Sequence, residues 1–274
     1  MRRVVALAVI VASGLLASCG GSSGNGGSGA GEDVTADSRD AAECPVRDHL
    51  AAEYNGRRRS GVEMPIDYAF LEARRGGCLP VRFNPCEPIR YVVNAALAPA
   101  GALDDLQAAI TKVEAATGLS FVNDGPTDEP ATTNRLIFQP QRYGARWAPV
   151  LIVWAHGGEY QMEPTNPAGG RSFDAAETFV SGVLIVNVDA VASDNGRTRP
   201  GSGFGDGTTW GRVFIHELSH IVGLGHVARS DQIMFPELGV QRGPAEFHPG
   251  DLAGLRALGK EAGCTPTPPL PPGR

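Results

Sequence analysis

From Ile89 onward, hydrophobic and polar positions alternate with a regularity that predicts secondary structure. Ile89-Arg90-Tyr91-Val92-Val93 has the β-branched and aromatic content of a strand. Gly101 to Thr117 follows as an amphipathic helix, with Leu103, Leu106, Ile110 and Val113 at helical spacing and Gly118 as its stop. Leu119–Val122, Arg135–Phe138, Val150–Trp154 and Gly182–Val188 are expected as further strands. A glycine-rich loop, Ser193–Gly207, then leads to a run dominated by Val213, Phe214, Ile215, Leu218, Ile221, Val222 and Leu224. That run predicts a helix buried on most of its faces. A stretch of roughly 180 residues from Val81 to Cys264 is ample for one core.

The two ends read differently. Val4 to Ala17 is an apolar stretch of 14 residues behind Arg2 and Arg3. It is too short to span a membrane and suits a signal peptide over residues 1–18. Ten of the twelve residues from Gly20 to Gly31 are Gly or Ser, so 19–43 is expected to be a flexible tether. Residues 44–80 have weak periodicity. Ala51, Ala52, Tyr54, Tyr68, Phe70 and Leu71 predict one or two short helices there, in a propeptide or in an N-terminal extension packed on the main domain. The main domain is placed at 81–264. The tail 265–274 has five prolines in ten residues and is expected to be extended and largely disordered.

The chemistry lies in His216-Glu217-Leu218-Ser219-His220-Ile221-Val222-Gly223-Leu224-Gly225-His226, which reads H-E-x-x-H-x-x-G-x-x-H. Residues four apart share one face of a helix, so His216 and His220 can present two imidazoles to one ion, with Glu217 beside them. Gly223 and Gly225 allow the chain to turn sharply and return His226 to the same ion. Three neutral nitrogens and an open fourth position describe a catalytic zinc site, since structural sites are normally closed by four protein ligands. Zinc there would make a water nucleophilic near neutral pH, and Glu217 is placed to act as general base. His156 follows an apolar strand and is read as a surface histidine in preference to a second metal ligand. His49 and His248 are also read as surface residues, and Arg57-Arg58-Arg59 as a solvated loop.

The whole signature resembles that of the metzincin zinc metalloproteases, which add a Met-turn downstream. Met234, in Gln232-Ile233-Met234-Phe235-Pro236, resembles the Met-turn of the matrixin branch. The segment from Pro249 to Gly259 resembles the matrixin C-terminal helix. The resemblance implies that Met234 forms a hydrophobic floor to the zinc and that Asp251 ties the last helix to the Met-turn. It also implies an α+β, zincin-like fold: a twisted, mixed, mainly parallel sheet with a long backing helix, an active-site helix and a C-terminal helix. An edge strand near 157–181 would pair with extended substrate. Val227 stands where matrixins usually carry Ser, and neither Phe235 nor Pro236 supplies the metal-proximal tyrosine of some metzincins. No Pro-Arg-Cys-Gly latency motif is present, and the loops that hold structural zinc and Ca2+ in vertebrate matrixins are missing. The likeness covers about residues 87–260 and is best to a bacterial matrixin-like protease.

Leu16-Ala17-Ser18-Cys19 resembles the lipobox of bacterial lipoproteins, which implies cleavage before Cys19, its lipidation, and a protein exported and held at the membrane surface facing outside. The alternative is simple secretion. Four cysteines remain, Cys44, Cys78, Cys86 and Cys264, an even number in a compartment that permits disulfides. Of the three pairings, Cys44–Cys78 and Cys86–Cys264 are expected. Removing Arg2 and Arg3 takes the formal net charge from −6 to −8, which gives no attraction to nucleic acid. The expected partners are a protein or peptide substrate and the membrane, with the chain a monomer.

The leading reading is a zinc endopeptidase. Two others compete with it: a non-catalytic surface binding module on the same fold, and a zinc amidase acting on cell-wall peptides. The intact Glu217 argues against the binding module.

Overall fold

The structure is a computed structural model that describes residues 45–54, 57–132, 134–160, 168–190 and 200–272. Its strands are β1 (Glu53–Tyr54), β2 (Arg57–Arg58), β3 (Ala69–Phe70), β4 (Ile89–Asn94), β5 (Phe121–Pro126), β6 (Val150–Ala155), β7 (Ala168–Ala175), β8 (Thr178–Asn187) and β9 (Leu224–Gly225). Its α-helices are α1 (Pro45–Asp48), α2 (Ala102–Thr117), α3 (Pro140–Tyr143), α4 (Trp210–Val222) and α5 (Pro249–Leu258).

Five strands form the main sheet in the order β5-β4-β6-β8-β7. The first three pairings are parallel, and β7 runs antiparallel at the edge beside β8. The central strand β6 has every residue buried, as a strand covered on both faces must be. One face packs against α2 and α4, through Leu106, Ile110 and Val113 on the first helix and Val213, Phe214 and Ile221 on the second. The other face buries Val92, Leu151, Val153 and Ile185 under Ala131, Tyr143 and Phe173. The fold is therefore the mixed α+β arrangement expected, with a mainly parallel sheet, a long backing helix, a buried helix carrying the H-E-x-x-H run and a C-terminal helix.

Several elements depart from expectation, each for a physical reason. Residues 135–138 are not a strand. The Arg135 guanidinium turns inward, donating from Nε and Nη2 to Glu129 at 2.8 and 2.9 Å and from Nη1 to Ser181 Oγ at 2.9 Å. A fully paired ion pair in the cover of the sheet replaces the apolar contact the sequence suggested, and Leu136 is left exposed. Leu103, expected on the buried face of α2, is exposed, because Ala102, Asp105, Leu106 and Ala109 form that face.

Over the residues described, 265–272, the tail is hydrogen-bonded to the main domain. Thr265 Oγ1 accepts from Arg74 Nη2 at 2.5 Å, Pro266 O from Thr178 Oγ1 at 3.3 Å, and Pro268 O from Trp147 Nε1 at 3.2 Å. Proline lacks the N–H that would pair it into a ladder, but its carbonyls accept freely and its stiff backbone has little entropy to lose on docking. Cys86 and Cys264 are joined in a disulfide with Cα atoms 5.5 Å apart, at the point where the tail begins. Cys78 is also disulfide-bonded, and its expected partner, Cys44, lies outside the described residues. Cys19 and the segment 1–43 lie outside them too.

Among the described residues of 45–80 there is one short helix, α1, and it contains none of the residues expected to be helical: Tyr54 lies in β1, Phe70 in β3, and Ala51, Ala52, Tyr68 and Leu71 in the chain beside them. His49 is not a surface residue: it is half-buried and stacks on Tyr68 with ring centroids 3.8 Å apart. His248 is half-buried as well, at the start of α5. Arg57 and Arg58 are exposed in β2, whereas Arg59 donates through Nη2 to Leu71 O and to Glu72.

Candidate metal centre

Every residue of α4 is buried, so its polar side chains must find partners inside the protein. Thr209 caps its start by accepting from Arg212 N, and Gly223 ends it at φ +120°, a backbone angle that strains any other residue. The chain then runs through β9 to His226.

This path brings the three histidines together. Their Nε2 atoms lie 3.1 Å (His216–His220), 3.1 Å (His220–His226) and 3.3 Å (His216–His226) apart. A tetrahedral zinc with Zn–N bonds of about 2.0–2.1 Å sets its nitrogens about 3.3 Å apart, so the donor set fits that ion. For His216 and His220 the opposite ring nitrogen is already committed. His216 Nδ1 is 2.7 Å from Ile233 O and His220 Nδ1 is 2.7 Å from Leu224 O. A carbonyl only accepts, so each Nδ1 carries the proton and each Nε2 offers a lone pair. Burial, reinforced by the neighbouring imidazoles, pushes all three histidines down to about 3, which keeps them neutral. Among the described residues, this is the one cluster of three or more His, Cys, Asp or Glu side chains able to hold a metal.

Glu217 lies on the same helix beside the triad. Its Oε2 accepts the main-chain N–H of Gly170, on edge strand β7. Burial pushes its carboxyl up to about 8, against the opposing pull of that N–H. A Cβ on Gly170 would sit 2.5 Å from the Glu217 carbonyl oxygen, so the close approach of β7 to α4 requires glycine.

Met234 is buried in the turn that follows. The turn is held by Asp251, whose carboxylate accepts from Ile233 N at 2.9 Å and Met234 N at 3.2 Å while also capping α5 through His248 N. Ile233 is the residue whose carbonyl orients His216, so this carboxylate reaches the metal site through one peptide unit. Gln232 strengthens the link by accepting from Asp251 N at 3.0 Å. At the start of α4, Arg212 bridges to Gln241 Oε1 and Gly243 O.

His156 stands apart from this centre. It is exposed and pairs with Asp189 Oδ1 at 2.9 Å, a hydrogen bond that raises its pKa, and Asp189 also accepts from Gly157 N.

Three features of the site escape sequence reasoning: Gly170, Gln232 and the packing of residues 45–80 against β9. Only the first leaves a trace, a glycine pair inside a strand, which marks close backbone approach.

Comparison with known proteins agrees with this geometry. The family model described as Matrixin matches residues 94–259, more than half of the chain. No curated protein matches it.

Proposed function

The chain belongs to the matrixin family of metallopeptidases, and from that premise we propose that it is a zinc-dependent endopeptidase cutting extended segments of proteins outside the cell. The observation that carries this is the convergence of three Nε2 lone pairs, with the other nitrogens of His216 and His220 bound to carbonyls, beside a buried carboxylate.

His216, His220 and His226 would hold the ion, and Met234 is buried in the turn that carries the Ile233 carbonyl bound to His216. Zinc so held supplies a Lewis acid that polarises the scissile carbonyl and makes a water nucleophilic near neutral pH. Glu217 takes the proton of the attacking water on the oxygen that Gly170 leaves free, then passes it to the leaving amine. Burial raises the proton affinity of this carboxylate, the direction that favours taking a proton from water. Strand β7 is the sheet edge that passes Glu217, and its outer side offers main-chain donors and acceptors to an extended peptide.

The test is digestion of denatured proteins by a zinc-loaded soluble fragment starting after Gly31, with mass spectrometry mapping the cuts. Internal cuts that vanish in Glu217→Ala, while zinc is retained, are the expected result. Turnover by Glu217→Ala would overturn the role given to that residue, and cleavage of purified cell-wall material alone would replace the peptidase with an amidase. The location is part of the same proposal: Cys19 carries a lipid that holds the domain on the outward-facing side of the cell membrane as a monomer. Cys19→Ser is expected to move the protein from the membrane fraction to the medium, and continued membrane binding would refute the anchor.

A further inference from the structure

The ligand His226 stands on a turn whose backbone is held from outside the zinc motif. Ala69 and Phe70 of β3 pair antiparallel with Gly225 and Leu224 of β9, the two residues before His226. Leu71 N donates to Gly223 O at 2.8 Å, and Ala228 N donates to Pro65 O at 2.7 Å. Residues 65–71 therefore grip the turn on both sides of His226. Leu224, the partner of Phe70, is also the residue whose carbonyl orients His220. Two of the three ligands thus depend on a backbone that residues 65–71 hold in place.

The packing around this ladder is tight. A Cβ on Gly225 would lie 2.3 Å from Ala51 Cβ, one on Gly254 would lie 2.8 Å from Tyr68 Cβ, and one on Gly250 would lie 2.2 Å from Asp67 O. Val46, Ala51, Ala69 and Phe70 are buried in the same core as Leu224, Val227, Leu255 and Leu258. The ladder runs Ala51 N to Phe70 O and Phe70 N to His49 O, so residues 49–51 form its outer layer. Removing this segment would uncover this apolar surface and the Gly223 carbonyl, which Leu71 N now pairs. Edge strand β7 lies elsewhere, against Glu217, so the ladder does not block the substrate edge.

We propose that residues 45–80 are a permanent arm of the metal site, positioning His226 and Leu224 through β3, and are not a propeptide shed on activation. Phe70 is the side chain that locks the arm, and it acts as a positioning residue. The inference rests on the zinc reading above, but its test reads zinc affinity and amide exchange, so it stands or falls separately from peptidase activity.

The experiment compares Phe70→Ala with Leu151→Ala in the otherwise complete chain. Leu151 is equally buried on the far face of the sheet and serves as a control for general destabilisation. Zinc affinity is measured by chelator competition under conditions where each variant is folded. Hydrogen exchange is followed at residues 223–228 in the metal-free protein. Phe70→Ala is expected to weaken zinc about tenfold, the scale seen when the partner of a metal ligand is lost, and to speed exchange at 223–228. Leu151→Ala is expected to change neither by more than about twofold. Equal weakening by the two variants would reduce the arm to ordinary packing and overturn the proposal. So would any natural processed form lacking residues 45–80 that still binds zinc with the affinity of the full chain.

Discussion

The main-chain N–H of Gly170 donates to the carboxylate of Glu217, tying the edge of the sheet to the residue proposed as general base. No side chain can occupy that junction without pushing β7 from α4, since a Cβ would meet the Glu217 carbonyl oxygen at 2.5 Å. Gly170→Ala is therefore expected to lower kcat/KM by about 10²-fold, the cost of misplacing a reacting group by about an ångström. Zinc content should stay at one ion per chain, because no ligand is attached to β7. Equal kcat/KM in variant and parent would show that the contact is incidental.

Asp251 gives a second handle, acting through the turn whose Ile233 carbonyl binds His216. Its carboxylate accepts three main-chain N–H groups, those of Ile233, Met234 and His248. Asparagine in its place keeps one acceptor oxygen and turns the other into a donor facing N–H groups. Asp251→Asn is expected to cost about 2 kcal/mol of stability in urea titrations. Because Ile233 O orients His216, zinc affinity should fall about tenfold as well. A loss of stability with unchanged zinc affinity would confine Asp251 to tethering α5.

How much of this is legible in the sequence follows from how local each feature is. The histidine cluster and its neighbouring glutamate are legible because His216, Glu217 and His220 lie within two turns of one helix and His226 follows within six residues of His220. Strands β4 and β6 are legible because burial on one or both faces forces a run of Val, Ile and Leu. What escapes depends on pairs far apart in the chain. Arg135 sits in an apolar run that suggests a strand, and only the Glu129 carboxylate reveals why it is buried. The arm at 65–71 has no periodicity of its own, since its order is supplied by backbone bonds to residues 223–228. The docked tail is the same case: five prolines suggest disorder until the donors of Arg74, Thr178 and Trp147 are placed beside them.

The metal-free protein should have a distinctive pH profile of stability. The histidines fall from an ordinary 6.5 to about 3 on folding, so their contribution is present above 6.5 and is lost as pH falls toward 3. Glu217 rises from 4.5 to about 8, so its contribution is full below 4.5 and is lost as pH rises through 8. Between 4.5 and 6.5 three histidines outweigh the one glutamate, and stability rises with pH. Above 6.5 only the glutamate acts, and stability falls. Thermal melting of chelator-treated protein should therefore peak near pH 6.5, and Glu217→Gln should remove the decline on the alkaline side. A flat profile from pH 4.5 to 8 would contradict the buried, uncharged state of the site.

The Cys86–Cys264 bridge is expected to matter for stability and little for the metal. It closes a loop spanning 178 residues, which in the chain-entropy view places it near the upper end of what one disulfide contributes, about 5 kcal/mol. Part of that is shared with the docked tail. Arg82 Nη2 donates to Ala262 O and Gly263 O, and Arg74 holds Thr265, so the chain end stays tethered when the bridge is opened. The paired substitution Cys86→Ser with Cys264→Ser should thus cost about 2–4 kcal/mol in denaturant titrations. Zinc affinity should hold within about twofold, because the outer-shell carbonyls that tune metal binding, Ile233 O and Leu224 O, belong to other parts of the chain. A parallel loss of zinc would mean that the bridge acts through α5 on the turn held by Asp251, and would move that disulfide from the periphery into the machinery of the site.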